Sequence, residues 1–366
     1  MLKKKYKVGI TVSPDTSMLL ANGNHQNAHL LYKLLKLAGI ETYKVVTRDA
    51  SKKFLSKDHL VIDDVVHDRL VDILLCPVFS LTSKSGYYDL CVKNNIKLVD
   101  VTYGNVYAIC AQEFLQGKEK YRQLYLDDTP EKIAWISPHY ANQSEFLQIR
   151  KNAKQVRVCP YIWSPEFLIN FFKGDVSKYK YLNHPNPQNI AVYEPNMNYT
   201  KNCIVPAHTL KAYVDNGCLK DGQKVDIYGL YSQLNEKTLK KFFSELHPKL
   251  TSRLCIWDRE PINKILNKAG TILSHHRDNS LNYTTLEALY LELPIVHNSE
   301  DIEAGYRYKN FNALDAADLL CEAVENHRDN LEHYNAESIE AIWKYHWRNP
   351  VNSQGYVDLI EEALES

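Results

Sequence analysis

No Asp-x-Asp pair occurs anywhere in the 366 residues, so a familiar carboxylate arrangement for holding a divalent ion on a diphosphate is missing. There is no GxxxxGK[ST] loop, which excludes nucleotide hydrolysis of the P-loop type. A GxGxxG after the first apolar run is missing too, which speaks against a nicotinamide or flavin enzyme, and HExxH and GxSxG are absent. Charge of one sign is not in excess, since Lys+Arg and Asp+Glu each number 44. Such a chain has no evident long-range pull toward nucleic acid or an anionic membrane. The only charge run, Lys3-Lys4-Lys5, reads as a solvated start before the first strand. No apolar stretch approaches the roughly 20 residues of a transmembrane helix, and the N-terminus lacks a signal-peptide pattern. The expectation is a soluble, cytoplasmic protein.

The eight cysteines, at 76, 91, 110, 159, 203, 218, 255 and 321, stand singly without CxxC. Several lie inside apolar runs, as in "ILLCPVF" and "RLCIWD". That is the usage of buried reduced thiols, so a reducing compartment is expected and a disulfide framework or zinc site is not. His275 and His276 are adjacent, so on a strand they point to opposite faces and make a poor chelate. The 25 tyrosines would suit sugar-stacking surfaces, but biased base composition in the gene would also produce them.

What is present is an alternation. The chain is too long for one ordinary core and suits two domains of roughly 150–200 residues. Short apolar, β-branched runs recur at 6–13, 41–46, 71–79, 96–104, 132–138 and 156–162, with helical patterns between them. The first of those helices, "QNAHLLYKLLKLAG", spaces its leucines helically and stops at Gly39. Near-continuous apolar strands alternating with helices predict an α/β fold with parallel sheets covered on both faces. "KGDVSKYKYLNHPNPQ" (173–188) breaks the rhythm and reads as a linker. The alternation restarts at 189–196, 224–229, 253–258, 270–276 and 294–298, and two helices, "DAADLLCEAVENH" and "NAESIEAIWKYHW", finish the chain. The expected organisation is a doubly wound domain over 1–172, the linker, a second over 189–337, and helices over 338–366 packing back toward the first. Two such domains would face a central cleft between the carboxyl ends of their sheets, where ligands of open α/β sheets bind.

One segment stands out. "SLNYTTLEALYLELPIVHN" (280–298) reads as a polar loop, a short helix and a buried strand. The first-turn amides of that helix have no intrahelical partner and carry the positive end of its dipole, which suits a phosphate or diphosphate. Thr284 or Thr285 is placed to cap it. Glu287 then projects toward whatever the loop has bound, and a carboxylate can take two hydrogen bonds from a vicinal diol such as a ribose. The plainer reading is that Glu287 only complements the helix dipole.

The segment and the two-domain layout resemble the GT-B class of nucleotide-sugar glycosyltransferases, in particular the retaining group with an E-x7-E motif. That group reads E-G-F-G-x-x-x-x-E-A-M-A-x-G-x-P-V-V where this chain has "NSLNYTTLEALYLELPIV". Glu287 falls on the second glutamate, which in that group holds the donor ribose, and Ala288, Leu289 and Pro294-Ile295-Val296 fit as well. Asn279 falls on the first glutamate, and Ser280, Asn282 and Glu292 fall on its glycines. "EPNMNYTKN", "NSLNYTTLEALY", "WISPHY" and "PYIWSP" further resemble a divergent branch of glycosyltransferase-like proteins.

The resemblance implies a metal-independent enzyme with no cofactor, moving a sugar from a nucleoside-diphosphate sugar to a glycan, protein, lipid-linked or, less in keeping with the neutral charge, nucleic-acid acceptor. The absent Asp-x-Asp pair sets it apart from the metal-dependent GT-A enzymes. On the donor side it selects Lys201 for the diphosphate, with Asn282, Tyr283 and Thr284 on the loop and helix start, and Tyr228, Gly229, Trp257 and Arg259 for the base pocket. On the other side it selects Asn24, Gln26 and Asn27 in the loop after the first strand, then Tyr103 and Asn105, with His139 and Asn279 near the transferred sugar. Each has a plainer reading: Lys201 as a solvated lysine, Trp257 as core, Asn24 or Asn27 as helix caps, His139 as a loop histidine. Asn279 cannot stabilise positive charge at an anomeric carbon as a carboxylate would. A non-catalytic nucleotide-sugar or glycan-binding module therefore stands beside the transferase, and a UDP-sugar epimerase on the same fold is a third reading.

Overall fold

Strands that are apolar at every position need cover on both faces, and the chain meets that need twice. The computed structural model describes residues 6–15, 22–50, 55–81, 86–117, 132–196, 198–232, 236–260 and 262–366; the Lys3-Lys4-Lys5 run lies outside them. The chain divides into two compact units, Met1–Ser164 with Tyr345–Ser366, and Pro165–Lys344.

The first unit alternates β1 (Lys7–Thr11), α1 (Gly23–Leu37), β2 (Glu41–Val46), β3 (His59–Val61), α2 (Ile62–His67), β4 (Ile73–Cys76), α3 (Tyr87–Lys93), β5 (Lys97–Thr102), α4 (Val106–Leu115), β6 (Lys132–Ile136), α5 (Ser144–Arg150) and β7 (Ala153–Val158). Its strands form one parallel sheet in the order β3-β2-β1-β4-β5-β6-β7. In the second unit come α6 (Glu166–Phe171), β8 (Ile190–Val192), α7 (Ile204–Asp215), β9 (Val225–Ile227), α8 (Glu236–Leu246), α9 (Pro248–Thr251), β10 (Leu254–Ile256), α10 (Ile262–Ile265), β11 (Thr271–Leu273), α11 (Tyr283–Tyr290), β12 (Ile295–His297), β13 (Tyr306–Arg307) and the long α12 (Ala313–Tyr345). Its sheet is also parallel, ordered β10-β9-β8-β11-β12-β13. A last helix, α13 (Pro350–Glu365), belongs to the first unit. Strand order reverses once in each sheet, at β1/β4 and at β8/β11, the doubly wound pattern.

Both sheets follow from the apolar runs. β4, β8, β11 and β12 are buried at every position, as parallel strands between helical layers must be. α1 buries Leu30, Leu31, Leu34 and Leu35 and stops at Gly39, whose φ of +82° suits a residue without Cβ.

Several expectations need correction. β3 and β13 are three and two residues long, too short to show periodicity. The two terminal helices are a single helix, α12, because nothing between them is Gly or Pro. The 173–188 segment carries 3₁₀ turns at Ser177–Tyr179 and Tyr181–Asn183 and is fastened to the second unit by a Lys180–Glu292 ion pair and the Tyr181 N–H to Leu291 O bond of 3.2 Å. Not every cysteine is a free thiol: Cys218, after α7, is disulfide-bonded to Cys321 on α12. A pairing across 103 residues leaves no spacing signal. Cys76, Cys91, Cys110, Cys159, Cys203 and Cys255 are free.

α13 closes the first unit through Tyr356. Its ring is wholly buried, 6.1 Å from that of Trp135, and its hydroxyl donates to Pro160 O at 2.8 Å and lies 3.2 Å from the Tyr103 hydroxyl. Truncating a buried aromatic costs about 3–5 kcal/mol, and losing one neutral hydrogen bond about 1 kcal/mol. Urea titration is expected to show Tyr356→Ala destabilised by several times as much as Tyr356→Phe. Equal midpoints for both would show that the ring is not what secures α13.

Candidate functional site

In the second unit strand order reverses at β8/β11, and in doubly wound sheets the ligand crevice lies at such a reversal, outside the strands' carboxyl ends. β8 runs out into Tyr193-Glu194-Pro195-Asn196, and β11 into Ser274-His275-His276. Asn196 shapes the first loop. Its backbone is left-handed (φ +53°), its Nδ2 donates to Glu194 O at 2.9 Å and Tyr228 O at 2.8 Å, and its Oδ1 accepts the Cys203 N–H at 2.7 Å. Gly229 lets the next loop approach: with φ +76°, a Cβ there would stand 2.6 Å from Glu194 O.

Glu194 is buried in the floor of this crevice, 1% exposed. Its Oε1 accepts the Ser274 hydroxyl at 2.7 Å and the His275 N–H at 3.2 Å, and its Oε2 lies 3.1 Å from His276 Nε2. The Asn282 amide nitrogen stands 3.1 Å from the same Nε2. The main chain at His276 pairs with Lys201 in an antiparallel bridge. His276 thus joins the β8 loop and the start of α11 through its ring, and the Lys201 segment through its backbone.

Asn282 is also the cap of α11: its side chain accepts the Thr284 N–H at 3.2 Å. That corrects the expectation for Thr284 or Thr285, both of which lie inside the helix and are buried. Ser280 holds the loop from behind, with the Ser299 hydroxyl donating to its carbonyl at 2.6 Å and its own hydroxyl on Asp301.

Glu287 sits in the second turn of α11, 5% exposed. Among the described residues its carboxylate has no hydrogen bond and no ion pair. Burial alone pushes its pKa up to about 8. The Tyr193 phenol, itself raised first by burial and then by the Glu287 charge, is its electrostatic neighbour and donates to Glu260 O at 2.8 Å. Lys201 is half-buried, and desolvation lowers its ammonium to about 8; Glu194 opposes that shift and Arg259 adds to it. Among the described residues no carboxylate lies within ion-pair distance of Lys201. A buried carboxylate and a desolvated ammonium, neither paired, mark a place prepared for a ligand's donors and acceptors.

Glu287, Lys201, Asn282, Tyr283, Thr284 and Arg259 thus belong to one unit, with Lys201, Arg259 and Glu287 in one electrostatic neighbourhood through Glu194 and Tyr193. Asn279 is buried at the loop's start. Tyr228 is buried in the core, so it offers no side chain to solvent. Trp257 is engaged on its ring by Tyr228 and by Lys268, whose ammonium stands 3.2 Å from the ring centre, and its Nε1–H donates to Asp226 at 2.6 Å. That matches the core reading of this tryptophan better than an open stacking face.

The remaining predicted residues lie in the first unit. Asn22, not Asn24 or Asn27, caps α1, accepting the Asn24 N–H at 3.0 Å. Asn27 and Gln26 are buried, and Asn27 Nδ2 donates to Gly23 O at 3.0 Å. Asn105 caps α4, accepting the Ala108 N–H at 2.8 Å and the Gln143 amide at 3.0 Å. Tyr103 is buried against Tyr356. His139 packs on Tyr140 with ring centres 3.9 Å apart. Sequence reasoning missed Glu194 as a site residue and weighed His276 only as a chelator. The available signal was a glutamate just after the apolar run "NIAVY", facing the "SHH" that follows the switch-point partner strand.

With that geometry in place, similarity to solved structures defines the class. An α-glucosyltransferase in complex with UDP and a 13-mer DNA containing a HMU base aligns with TM-score 0.58 at 12% identity, covering 99% of this chain and 100% of that one. The pneumococcal O-GlcNAc transferase GtfA in complex with UDP and GlcNAc aligns at 0.55 and 8%, again over 99% and 100%. A glycosyltransferase from Rickettsia africae ESF-5 gives 0.53 and 13% over the same shares. The fold is that of GT-B glycosyltransferases, two Rossmann-like parallel-sheet domains. The chain itself belongs to the family described as "Protein of unknown function (DUF2827)", which it matches over residues 8–360. No curated protein matches it.

The Glu287 carboxyl makes a direct prediction. Its folded pKa is raised from 4.5 to about 8, so its contribution to stability is whole below about pH 4.5 and is lost as pH rises through 8. Glu287→Gln stays neutral throughout. Its stability advantage over the native chain is expected to grow between about pH 4.5 and 8, by at most about 1.4 kcal/mol per pH unit, and to level off above 8. A melting-temperature difference independent of pH would show that the carboxyl is ionised and satisfied.

Proposed function

We propose that this protein is a glycosyltransferase that takes its sugar from a nucleoside-diphosphate sugar bound in the second unit. In this reading the diphosphate rests on Lys201, Arg259 and the first-turn amides of α11. The ribose diol donates two hydrogen bonds to Glu287. The observation that carries the reading is the buried Glu287 carboxyl, without a partner among the described residues, in a helix whose cap Asn282 meets His276, the residue that pairs with the Lys201 main chain.

The ligand then supplies what the surrounding side chains do not: donors for a carboxylate and acceptors for an ammonium. UDP is the first nucleotide to test, because two of the aligned structures contain it. The reading needs no divalent ion, since Lys201, Arg259 and the helix meet the leaving group's charge. Likeness to the E-x7-E group adds retention of anomeric configuration, with the leaving diphosphate helping to accept the acceptor's proton. The acceptor is a glycan, a protein, a lipid-linked sugar or, against the neutral charge, a nucleic acid. Asn279, in place of that group's first glutamate, favours a second reading, a module that binds the donor and does not turn it over.

A thermal-shift panel of UDP, GDP, TDP and their sugars tests the assignment. A ligand at 100 times its dissociation constant adds about 2.7 kcal/mol. The expected outcome is a shift with one nucleotide class, lost in Glu287→Ala and weakened in Lys201→Ala. Release of free sugar and nucleoside diphosphate selects the enzyme, and binding without turnover across varied acceptors selects the module. No shift with any nucleotide would remove both.

A further inference from the structure

Glu194 is an odd residue to find under an anion. A buried carboxylate close to a bound diphosphate should weaken it, and nothing in the E-x7-E resemblance asks for one. Yet four groups from two segments converge on it: the Ser274 hydroxyl, the His275 N–H and His276 Nε2 after β11 and, through space, the Lys201 ammonium. The Asn196 side chain fixes the turn that presents it, and Gly229 makes room for its backbone.

One ring nitrogen gathers three segments: His276 Nε2 lies 3.1 Å from a Glu194 carboxylate oxygen, 3.2 Å from the Ser274 hydroxyl and 3.1 Å from the Asn282 amide nitrogen. Among the described residues the ring's other nitrogen, Nδ1, has no partner. The imidazole is therefore held at one edge, while its backbone pairs with Lys201 and its Nε2 edge also meets the cap of α11.

We propose that Glu194 and His276 form a positioning pair that keeps the Lys201 ammonium charged and in place, so that anion binding in this crevice depends on a carboxylate that never touches the anion. The charged groups acting on the Lys201 ammonium are Glu194 from the end of β8 and Arg259 from beyond β10, and the His276 main chain, at the end of β11, pairs with its backbone. Of these, Glu194 acts to keep the ammonium protonated, against burial and against Arg259. His276 keeps Glu194 aligned and ties the Lys201 main chain to β11. This deepens the donor-site reading and rests on it for the identity of the anion, but the charge on Lys201 can be measured with no ligand present.

The proposal reverses the ordinary electrostatic expectation. Removing a negative charge near an anion site should tighten binding by simple Coulomb repulsion; here Glu194→Gln is expected to loosen it. Two measurements test this. In reductively ¹³C-methylated protein, the Lys201 signal, identified by its loss in Lys201→Arg, is followed through a pH titration. The expected result is a midpoint at least one unit lower in Glu194→Gln than in the native chain, restored in Glu194→Asp. An unchanged or higher midpoint overturns the proposal, whatever the protein binds.

The second measurement is calorimetric binding of UDP and of inorganic pyrophosphate at pH 7 and 8. Glu194→Gln and His276→Ala are expected to lose affinity, for Glu194→Gln about twofold at pH 7 and about fivefold at pH 8 for a one-unit fall in the Lys201 midpoint. Tighter binding by Glu194→Gln overturns the proposal. If the native chain binds neither probe, the donor-site reading fails, and the Lys201 titration still decides the pair. Should Glu194→Gln not fold, His276→Gln in the same titration substitutes for it, and a Lys201 midpoint equal to the native one overturns the proposal.

Discussion

A carboxylate buried without a partner is the constraint around which the second unit is arranged. Glu287 reaches its place because α11 starts at Asn282, and that start is fixed by the Asn282 cap, by His276 against it and by Ser299 and Asp301 behind Ser280. Burial then makes ionisation costly, and no protein group among the described residues repays it. Proteins tolerate such a group where a ligand completes it. In the function proposed above, the helix start, the desolvated Lys201 and the exposed Arg259 would meet a phosphate's charge, and Glu287 would accept from a sugar diol.

The crevice also shows how a doubly wound sheet builds a site from parts distant in sequence. Glu194 follows the first strand of its unit, while Ser274 and His276 follow the fourth, some 80 residues later. They meet because strand order reverses between β8 and β11, leaving a gap at the carboxyl ends that no crossover helix fills. The same reversal occurs at β1/β4 in the first unit, where the polar residues found, Asn22, Asn27 and Asn105, serve largely as caps and helix-internal bonds.

Much of the fold was legible because its strands are buried on both faces. Runs such as "ILLC" and "IAV" leave no alternative to a covered parallel sheet, and Gly39 ends α1 where the leucine spacing stops. What stayed hidden had no local signal. β13 is two residues long, the Cys218–Cys321 link spans 103 residues, and α12 continues through a polar stretch that resembles a break. Glu287 was legible because a short, ordered motif surrounds it. Glu194 was not, because a glutamate before a proline reads as a turn residue, and only the tertiary fold brings His276 and Ser274 to it. Tyr228 and Trp257 were placed in a base pocket by position after their strands; their contacts with each other, Lys268 and Asp226 tie them into the core.

The most direct measurement is a ¹³C titration of the Glu287 carboxyl, observed with and without saturating UDP and identified by its loss in Glu287→Gln. The account predicts a midpoint near 8 in the free protein and a fall of two units or more when a ribose diol occupies the site. A midpoint near 4.5 that UDP leaves unmoved would contradict it.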